Sequence, residues 1–267
     1  METPLSFAIG LARQTGDLLL HYYHSENLTT DLKANGSVVT KADIAADRLI
    51  TTSIQKYYPE DSLISEEHQT TYSHNKLESD RNVWIIDPLD GTTNFSLGLP
   101  IWGVILTRLT GGWPETAVLY FPMLDELYNV QRGQGAFLND TRLQVLPPNS
   151  KLPLSFFSCC SRTHQYYQVN IPYKTRILGS AGYSMCAVAK SIAIVALEAT
   201  PKIWDIAAGW LLVSEAGGVI ETLDSSQPFP LQSGFDYSGK NFPTLAAANM
   251  AILKRAHAQI LPNIEPQ

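Results

Sequence analysis

Two amphipathic helices are predicted at the start of the chain, because apolar residues recur there at helical spacing. The first helix follows Thr3 and Pro4, residue types favoured at an N-cap and in a first turn, and its apolar face carries Leu5, Ala8, Ile9, Ala12, Leu19 and Tyr23. The second ends before Pro59, and its apolar face carries Ala46, Ile50, Ile54 and Tyr57. Both helices are therefore expected to pack one face against a core.

Short apolar runs separated by turn residues predict an antiparallel meander in the middle of the chain. These runs cover 104–109, 115–121, 127–130 and 137–145, and the turn residues are Gly111-Gly112, Pro122, Gly133 and Asn139-Asp140. Further along, strand-like runs alternate with helical ones: the strands cover 154–160, 176–178, 192–197 and 219–223, and the helices start near Ala181, Ile203 and Met250. Such alternation is typical of an α/β arrangement.

The Pro-containing stretch from Leu146 to Ser150 predicts a boundary between two halves. Residues 1–146 form an α+β half with the helices and the meander, and residues 151–267 form an α/β half. The pattern as a whole predicts the α/β (α+β) class, with helices and sheets in layers.

Composition excludes several classes of protein. The chain has 267 residues, of which 45% are apolar and 16% charged, as in a globular enzyme. Its net charge of -6 and the absence of a Lys/Arg run argue against nucleic-acid binding. No run reaches about 18 apolar residues, so no membrane span is expected. The three cysteines, two of them adjacent, match neither a disulfide framework nor a zinc site, which favours a reducing cytoplasm.

One short stretch carries most of the candidate chemistry. The apolar run 83–86 leads into Asp87, Pro88 and Asp90, followed by Gly91 and Thr92. Because proline lacks the N–H that a strand needs, the strand is expected to end at Asp87. A turn would then bring both carboxylates to one side. The small residues after them offer backbone N–H groups to a phosphate.

Other acids stand beside turn or helix-start signals. Asp43 opens the second helix, Glu66 follows a short apolar run, and Asp205 precedes a helix rich in small residues. Taken singly, Asp43 and Asp205 are explained by helix capping and Glu66 by a solvated surface. Brought together, the carboxylates would repel one another unless a cation joined them. An all-oxygen set without histidine or cysteine spacing favours Mg²⁺ over zinc.

Two long motifs carry a resemblance to a known family. The stretch from Trp84 to Phe95 reads Trp-x-x-Asp-Pro-Leu-Asp-Gly-Thr-x-Asn-Phe, and a second motif begins at Trp204-Asp205 and ends at Glu215-Ala216-Gly217-Gly218. In this order, over nearly the whole chain, they resemble the inositol monophosphatase family of lithium-sensitive, magnesium-dependent phosphatases. The resemblance implies a layered αβαβα sandwich, a cytoplasmic homodimer and a small phosphorylated substrate.

The resemblance also implies roles for individual residues. The metal ligands would be Glu66, Asp87, Asp90 and Asp205 through their side chains and Leu89 through its carbonyl. Asp43 corresponds to the acid that completes the shell around a further cation or its waters, which gives two or three Mg²⁺ per site.

Catalysis and phosphate binding follow from the same likeness. Thr92, with Glu66, resembles the pair that orients and deprotonates the attacking water, with Asp43 beside them. The N–H groups of Gly91 and Thr92 would receive the phosphate, and Asp90 and Asp205 would also face the substrate.

Substrate identity is the least determined part of the resemblance. Ala181, in a Gly-Ser-Ala-Gly loop, and Glu198, seven residues before Asp205, match positions that contact the inositol ring. The implied reaction is hydrolysis of inositol 1-phosphate. However, residues 199–203 depart from the usual polar, Gly-containing link. This leaves fructose 1,6-bisphosphate, histidinol phosphate, NADP and 3'-phosphoadenosine 5'-phosphate as alternatives, and a non-catalytic regulatory partner protein as an alternative of another class.

Overall fold

The structure of the protein is a computed structural model that describes residues 3–25, 30–32, 38–67, 82–146 and 155–263. Its helices are α1 (Pro4–Tyr23), α2 (Lys41–Tyr57), α3 (Thr92–Ser96), α4 (Thr163–Tyr166), α5 (Ala181–Ala189), α6 (Ile203–Glu215) and α7 (Met250–His257), with a 3-10 turn at Pro122–Leu124. Its first nine strands are β1 (Thr30–Leu32), β2 (Val38–Thr40), β3 (Ser62–Ser65), β4 (Val83–Asp90), β5 (Gly103–Thr110), β6 (Trp113–Phe121), β7 (Glu126–Gln131), β8 (Gly135–Leu138) and β9 (Thr141–Arg142). The remaining strands are β10 (Phe156–Cys159), β11 (Tyr167–Val169), β12 (Thr175–Arg176), β13 (Ala193–Glu198), β14 (Val219–Thr222), β15 (Thr244–Ala247) and β16 (Ile260–Pro262).

The larger sheet has seven strands in sequence order, from β3 to β9. Only β3 and β4 pair in parallel, and the following strands pair antiparallel with their neighbours. The predicted meander is therefore confirmed. Its last predicted run, 137–145, is divided by a turn at Asn139, whose positive φ of 51° ends β8.

The smaller sheet has five strands in the order β12-β10-β13-β15-β14. Strands β12, β10 and β13 run parallel, whereas β15 is antiparallel to both β13 and β14. Along the chain, α5 is followed by β13 and α6 is followed by β14. This agrees with the α/β alternation that the sequence predicts after residue 150.

Alternating side chains of each sheet divide the core into layers. On β4, Ile86 packs with α1 and α2, while Ile105 of β5 packs with residues of α5 and α6. On the smaller sheet, Ala196 packs with α5 and α6 and Val195 packs with α7. The order helices, sheet, helices, sheet, helix is the expected αβαβα sandwich, and the predicted fold class is confirmed.

The sandwich places α5 and α6 between the two sheets. The strands of the larger sheet fall within 62–142 and those of the smaller within 156–247, so the division into 1–146 and 151–267 follows the sheets but stays a prediction. The predicted boundary lies outside the described residues from position 147 onward. No helix in the described part of the chain is both long and apolar enough to cross a lipid bilayer.

Candidate active site

Three aspartates from two elements meet at one end of the larger sheet. Carboxylate oxygens of Asp87 and Asp90 on β4 and of Asp205 in the first turn of α6 all lie within 4.8 Å of one another. Asp87 and Asp90 are buried, and Asp205 is half-buried. The structure thus brings together acids that are more than one hundred positions apart in the chain.

Strand β4 continues past Pro88, so the prediction that it ends at Asp87 was wrong. Asp87 is paired with Ile105 and Asp90 with Gly103, and the register shifts between these two pairs. Proline lacks an N–H, and a bulge is the place in a sheet where a missing donor is tolerated. Both carboxylates therefore stay on a rigid strand, and the N–H of Leu89 donates to Asp87 Oδ1 at 3.1 Å.

Glu66 lies beside these aspartates at the end of β3. Its backbone N–H donates to the carbonyl of Ile86 at 3.2 Å, which places Glu66 next to the start of the acidic stretch on β4. It lines the same cavity as Asp90 and Asp205, although its carboxylate is not part of the 4.8 Å group. The surface-loop explanation for Glu66 is therefore wrong, because the side chain faces this cavity.

Asp43 belongs to the site through Thr92. The N-cap of α2 is Thr40, and Asp43 at the third helical position takes part in the same capping box, in which its Oδ2 accepts the Thr40 N–H at 2.7 Å, so the capping explanation for Asp43 holds in this form. Its Oδ1 lies 3.0 Å from Thr92 Oγ1, which is also 2.9 Å from the carbonyl oxygen of Leu89. Since a hydroxyl has one hydrogen, Thr92 can donate to only one of these acceptors at a time.

Gly91 precedes α3 in a conformation that favours glycine. Its φ is 87°, and a Cβ at this position would lie 2.8 Å from the carbonyl oxygen of Ile101. Gly91 and Thr92 both line the cavity at the N-terminus of α3. Their backbone is thereby held close to the three aspartates, as the sequence predicts.

The N-terminus of α5, with its N-cap Ser180, binds Asp90 directly. Asp90 Oδ1 accepts the N–H of Ala181 at 3.1 Å, and Oδ2 accepts the N–H of Gly182 at 3.0 Å and the hydroxyl of Ser180. The N–H of Ala181, a predicted substrate contact, is therefore engaged with Asp90, so only the remainder of Ala181 faces the cavity. Sequence reasoning missed the role of Ser180, because no local spacing links it to Asp90.

Glu198 ends β13 in the wall of the same cavity and is 5% exposed. Burial raises the pKa of this carboxyl to about 8, while hydrogen bonds from Ser184 and Cys160 oppose the rise. Cys160 also lines the cavity and accepts the N–H of Ala199 through Sγ at 3.4 Å. Neither Ser184 nor Cys160 was a candidate in the sequence, because no motif there links them to Glu198.

Electrostatics favour a cation among the aspartates. Burial, together with the charge of Glu66, raises the pKa of Asp90 to about 6 and that of Asp205 well above its usual value. Crowded carboxylates of this kind either take up protons or bind a cation. The donors are hard oxygen atoms held within a few ångströms, which suits Mg²⁺ and not a thiolate- or imidazole-binding metal.

The cavity that contains these groups has a volume of about 510 Å³. The acids Glu66, Asp90 and Asp205 line it, together with the start of α3. The rest of the lining comes from Cys160, Ser161, Arg162, Ile177, Gly179, Ser180, Ala181, Glu198, Thr200 and Pro201. The cavity thus has room for a phosphate against the acids and α3 and for the rest of a small substrate against the other lining residues.

Comparisons with known proteins agree with this geometry. The sequence profile of the inositol monophosphatase family matches residues 1–263. A Nus factor SuhB from Pasteurella multocida is 34% identical over 280 residues, covering 100% of this chain and 97% of the relative. Inositol monophosphatase 1 of Sus scrofa is 31% identical over 274 residues, covering 97% and 95%. The crystal structure of an IMPase/NADP phosphatase complexed with Mg²⁺ and phosphate superposes with a TM-score of 0.72 at 25% identity, covering 91% and 90%.

Proposed function

Because the chain belongs to the inositol monophosphatase family and is a phosphoric monoester hydrolase, we propose that it hydrolyses inositol 1-phosphate to inositol and phosphate with Mg²⁺. The observation that carries this proposal is the meeting of Asp87, Asp90 and Asp205 within 4.8 Å. A phosphate monoester dianion repels such a cluster, so a cation has to lie between them.

The acids divide into sets that would hold two or three Mg²⁺. Glu66, Asp87 and the carbonyl of Leu89 would bind one cation, and Asp87, Asp90 and Asp205 a second. Asp43 would complete the shell of a further cation or its waters. When bound, Mg²⁺ stabilises the charge on the phosphoryl oxygens and lowers the pKa of a coordinated water.

Thr92 and Glu66 orient the attacking water in this proposal. The hydroxyl of Thr92 donates to Asp43, 3.0 Å away, and its lone pairs then face the water as acceptors. The oxygen of the water forms a bond to phosphorus, and the carboxylate of Glu66 accepts the proton that this water loses. The ester P–O bond breaks, and the inositol oxygen leaves and is protonated from solvent.

The start of α3 binds the phosphoryl group. The N–H groups of Gly91 and Thr92 donate to phosphoryl oxygens that become more negative in the transition state. In the same cavity, Glu198 accepts hydrogen bonds from ring hydroxyls, and Ala181 contributes contact area. Asp90 and Asp205 would face the substrate through the cation that they hold with Asp87, and this cation would stabilise charge on the ester oxygen.

Phosphate release in the presence of Mg²⁺ or of EDTA tests the proposal. The substrates are inositol 1-phosphate, fructose 1,6-bisphosphate, histidinol phosphate, NADP and 3'-phosphoadenosine 5'-phosphate. We expect Mg²⁺-dependent release from inositol 1-phosphate. Release from another substrate alone would redirect the assignment within the same chemistry, and no release from any of them would contradict it.

A regulatory role is a second candidate, because the Pasteurella relative carries the name of a Nus factor. Such a role would need the fold but not the acids. Every acid of the two motifs is present in this chain, and this favours catalysis. A null strain with a cellular defect tests this candidate. Repair of that defect by the Asp87→Asn variant would support the regulatory role over the enzyme.

We also propose a cytoplasmic location. The three cysteines are unpaired thiols, which fits the cytoplasm.

Two exposed apolar side chains lie on neighbouring loops. Leu97 and Ile177 are 70% and 53% exposed, and the side chain of Asn94 joins their loops by donating to the carbonyls of Ile101 and Leu178. We propose that these apolar side chains contribute to a homodimer, which light scattering of the purified protein tests.

A further inference from the structure

Asn94 lies between two segments of the candidate active site. It is the middle residue of α3, it is 8% exposed, and it lines the cavity. It also belongs to the first of the two sequence motifs, but no step of the proposed function uses it. Because a buried polar side chain is normally hydrogen-bonded, its partners indicate what it holds in place.

The side-chain amide of Asn94 joins two separate parts of the chain. Its Nδ2 donates to the carbonyl of Ile101 at 2.7 Å and to the carbonyl of Leu178, 84 positions away, at 2.8 Å. An amide nitrogen carries two hydrogens, and each of these bonds uses one. This group therefore connects two segments of the protein and has no hydrogen left to donate to a substrate.

The turn at Gly91 packs against both of these segments. A Cβ on Gly91 would lie 2.8 Å from the Ile101 oxygen and 3.3 Å from the Gly179 oxygen. In the proposed function the N–H of Gly91 donates to the phosphoryl group. The bonds of Asn94 therefore set the surroundings of the turn that receives the phosphate.

The Leu178 carbonyl also lies two residues before the N-cap of α5. That N-cap is Ser180, whose hydroxyl donates to Asp90 Oδ2. The next two backbone N–H groups, of Ala181 and Gly182, donate to the same carboxylate at 3.1 and 3.0 Å. These three donors orient Asp90, so a shift of the loop at Leu178 would change how Asp90 is held.

Gly179 allows this loop to pass close to Asn94. Its φ is 75°, a conformation that favours glycine, and a Cβ at this position would lie 2.6 Å from Asn94 Oδ1. Such a separation is shorter than a van der Waals contact. The close fit between the loop and the amide therefore depends on the absence of a side chain at residue 179.

We infer that Asn94 is a positioning residue that fixes the phosphate-binding turn at Gly91 relative to the loop that orients Asp90. The attack on phosphorus needs both parts in a fixed geometry, and a misplacement of about 1 Å can cost about 100-fold in rate. Binding of the substrate before reaction tolerates a larger error. The kinetic effect of Asn94 rests on the proposed function and deepens it, whereas the coupling of Asn94 to Asp90 can be measured without any substrate.

Kinetics of matched variants test the first part of the inference. Initial rates are measured with inositol 1-phosphate and with p-nitrophenyl phosphate for the wild type, Asn94→Ala and Asn94→Asp, because a carboxylate has nearly the shape of the amide but no hydrogen to donate. The control is Asn139→Ala, which removes an amide that donates to the Asp125 carbonyl at 3.2 Å in the larger sheet.

Both Asn94 variants should lose rate at the chemical step. We expect kcat to fall about 10- to 100-fold while KM stays within about threefold, because alignment is lost and not substrate binding. Asn139→Ala should keep the kcat of the wild type. A loss of kcat that the control shares, or a rise in KM with unchanged kcat, would overturn the inference.

Amide hydrogen exchange in EDTA tests the coupling without substrate or cation. The N–H groups of Ala181 and Gly182 should exchange up to about tenfold faster in Asn94→Ala than in the wild type, the effect of one lost hydrogen bond on local opening. Asn139→Ala should leave their exchange unchanged. If Asn94→Ala does not fold, Asn94→Asp supplies both measurements.

Failure of this inference is distinguishable from failure of the proposed function. A wild type that does not hydrolyse inositol 1-phosphate contradicts the proposed function alone, because p-nitrophenyl phosphate and the exchange rates still report on Asn94. Unchanged exchange of Ala181 and Gly182 in the Asn94 variant would overturn the inference whatever the substrate is.

Discussion

The hydroxyl of Ser180 donates to Asp90 Oδ2 across ninety positions of the chain, and the same hydroxyl accepts the N–H of Tyr183 in the first turn of α5. One side chain thus both caps a helix and holds a candidate metal ligand. Asp90 is fixed on its other side by β4. The position of α5 and the orientation of this carboxylate are therefore coupled.

Ser180→Ala should weaken Mg²⁺ binding and reduce stability. Asp90 loses one donor and α5 loses its cap, which costs about 1 kcal/mol. We expect the Mg²⁺ concentration for half-maximal rate to rise several-fold and the Tm to fall by a few degrees. Ser214→Ala removes a hydroxyl that donates to the Trp210 carbonyl on α6 and is a matched control. An unchanged Mg²⁺ requirement in Ser180→Ala would contradict the coupling.

Asp87→Asn and Asp205→Asn should abolish most turnover while keeping the fold. Each 1.4 kcal/mol of lost transition-state stabilisation is about tenfold in rate, and a cation supplies several such units, so we expect a loss of at least about 100-fold. Phosphate release measures this. Without metal, both variants should be at least as stable as the wild type, because a repelling charge is gone.

Thermal unfolding with and without Mg²⁺ measures cation binding independently of activity. Mg²⁺ should raise the Tm of the wild type and of Asp17→Asn, an exposed control on α1, but not that of Asp87→Asn. Undiminished activity or an intact Mg²⁺ effect in Asp87→Asn would exclude this residue as a ligand.

Glu198→Gln should change how the stability of the metal-free protein depends on pH. The pKa of Glu198 is about 8 in the folded state against 4.5 in its usual range, so the folded protein holds one more proton than the unfolded chain between these values. Stability from this group is therefore fully present below pH 4.5 and is lost as pH rises toward 8. The slope is about 1.4 kcal/mol per pH unit for one proton.

Denaturant unfolding in EDTA from pH 5 to pH 8 measures that slope. The glutamine variant does not titrate, so its unfolding free energy should fall less steeply over this range than that of the wild type. Parallel curves would show that Glu198 does not hold the additional proton.

Glu215→Ala should destabilise the protein without changing its Mg²⁺ requirement. The two carboxylate oxygens of Glu215 accept the N–H groups of Gly133 at 2.8 Å and Gly135 at 2.9 Å. Removing the acceptor leaves the N–H of the buried Gly135 without its partner, at a cost of about 1–3 kcal/mol, whereas the exposed Gly133 can bond to water. Denaturant unfolding should show this loss, and a several-fold change in the Mg²⁺ requirement would be inconsistent with a purely structural role.

Local patterns predicted the parts of the fold that depend on local physics. The cap at Thr3 and the apolar spacing of α1 are confirmed, as are the meander strands, because helix and strand periods are visible within a few residues. The end of β4 was not predictable in this way. Whether Pro88 ends a strand or occupies a bulge depends on pairing with β5, and no local signal reveals that pairing.

The candidate site also could be predicted only in part from local patterns in the sequence. The motifs around Asp87 and Asp205 identified acids that the structure brings together. For Asp205, as for Asp43, the residue type and its place near a helix start left capping as an equal explanation. Ser180, Cys160 and Arg162 reach the cavity through turns whose positions depend on the smaller sheet. No spacing in the chain connects them to the acids, and only the folded arrangement does.

Helix α6 acts as a spacer of fixed length between two distant attachments. Asp205 in its first turn belongs to the acidic group, and Glu215 at its last residue holds the turn between β7 and β8. Ten residues of helix separate these anchors by about 15 Å, and inserting or deleting one residue between them would rotate one anchor relative to the other by about 100°. Substitutions along α6 that preserve its length can be accommodated, whereas a single-residue insertion or deletion would detach either the acidic group or the β7–β8 turn.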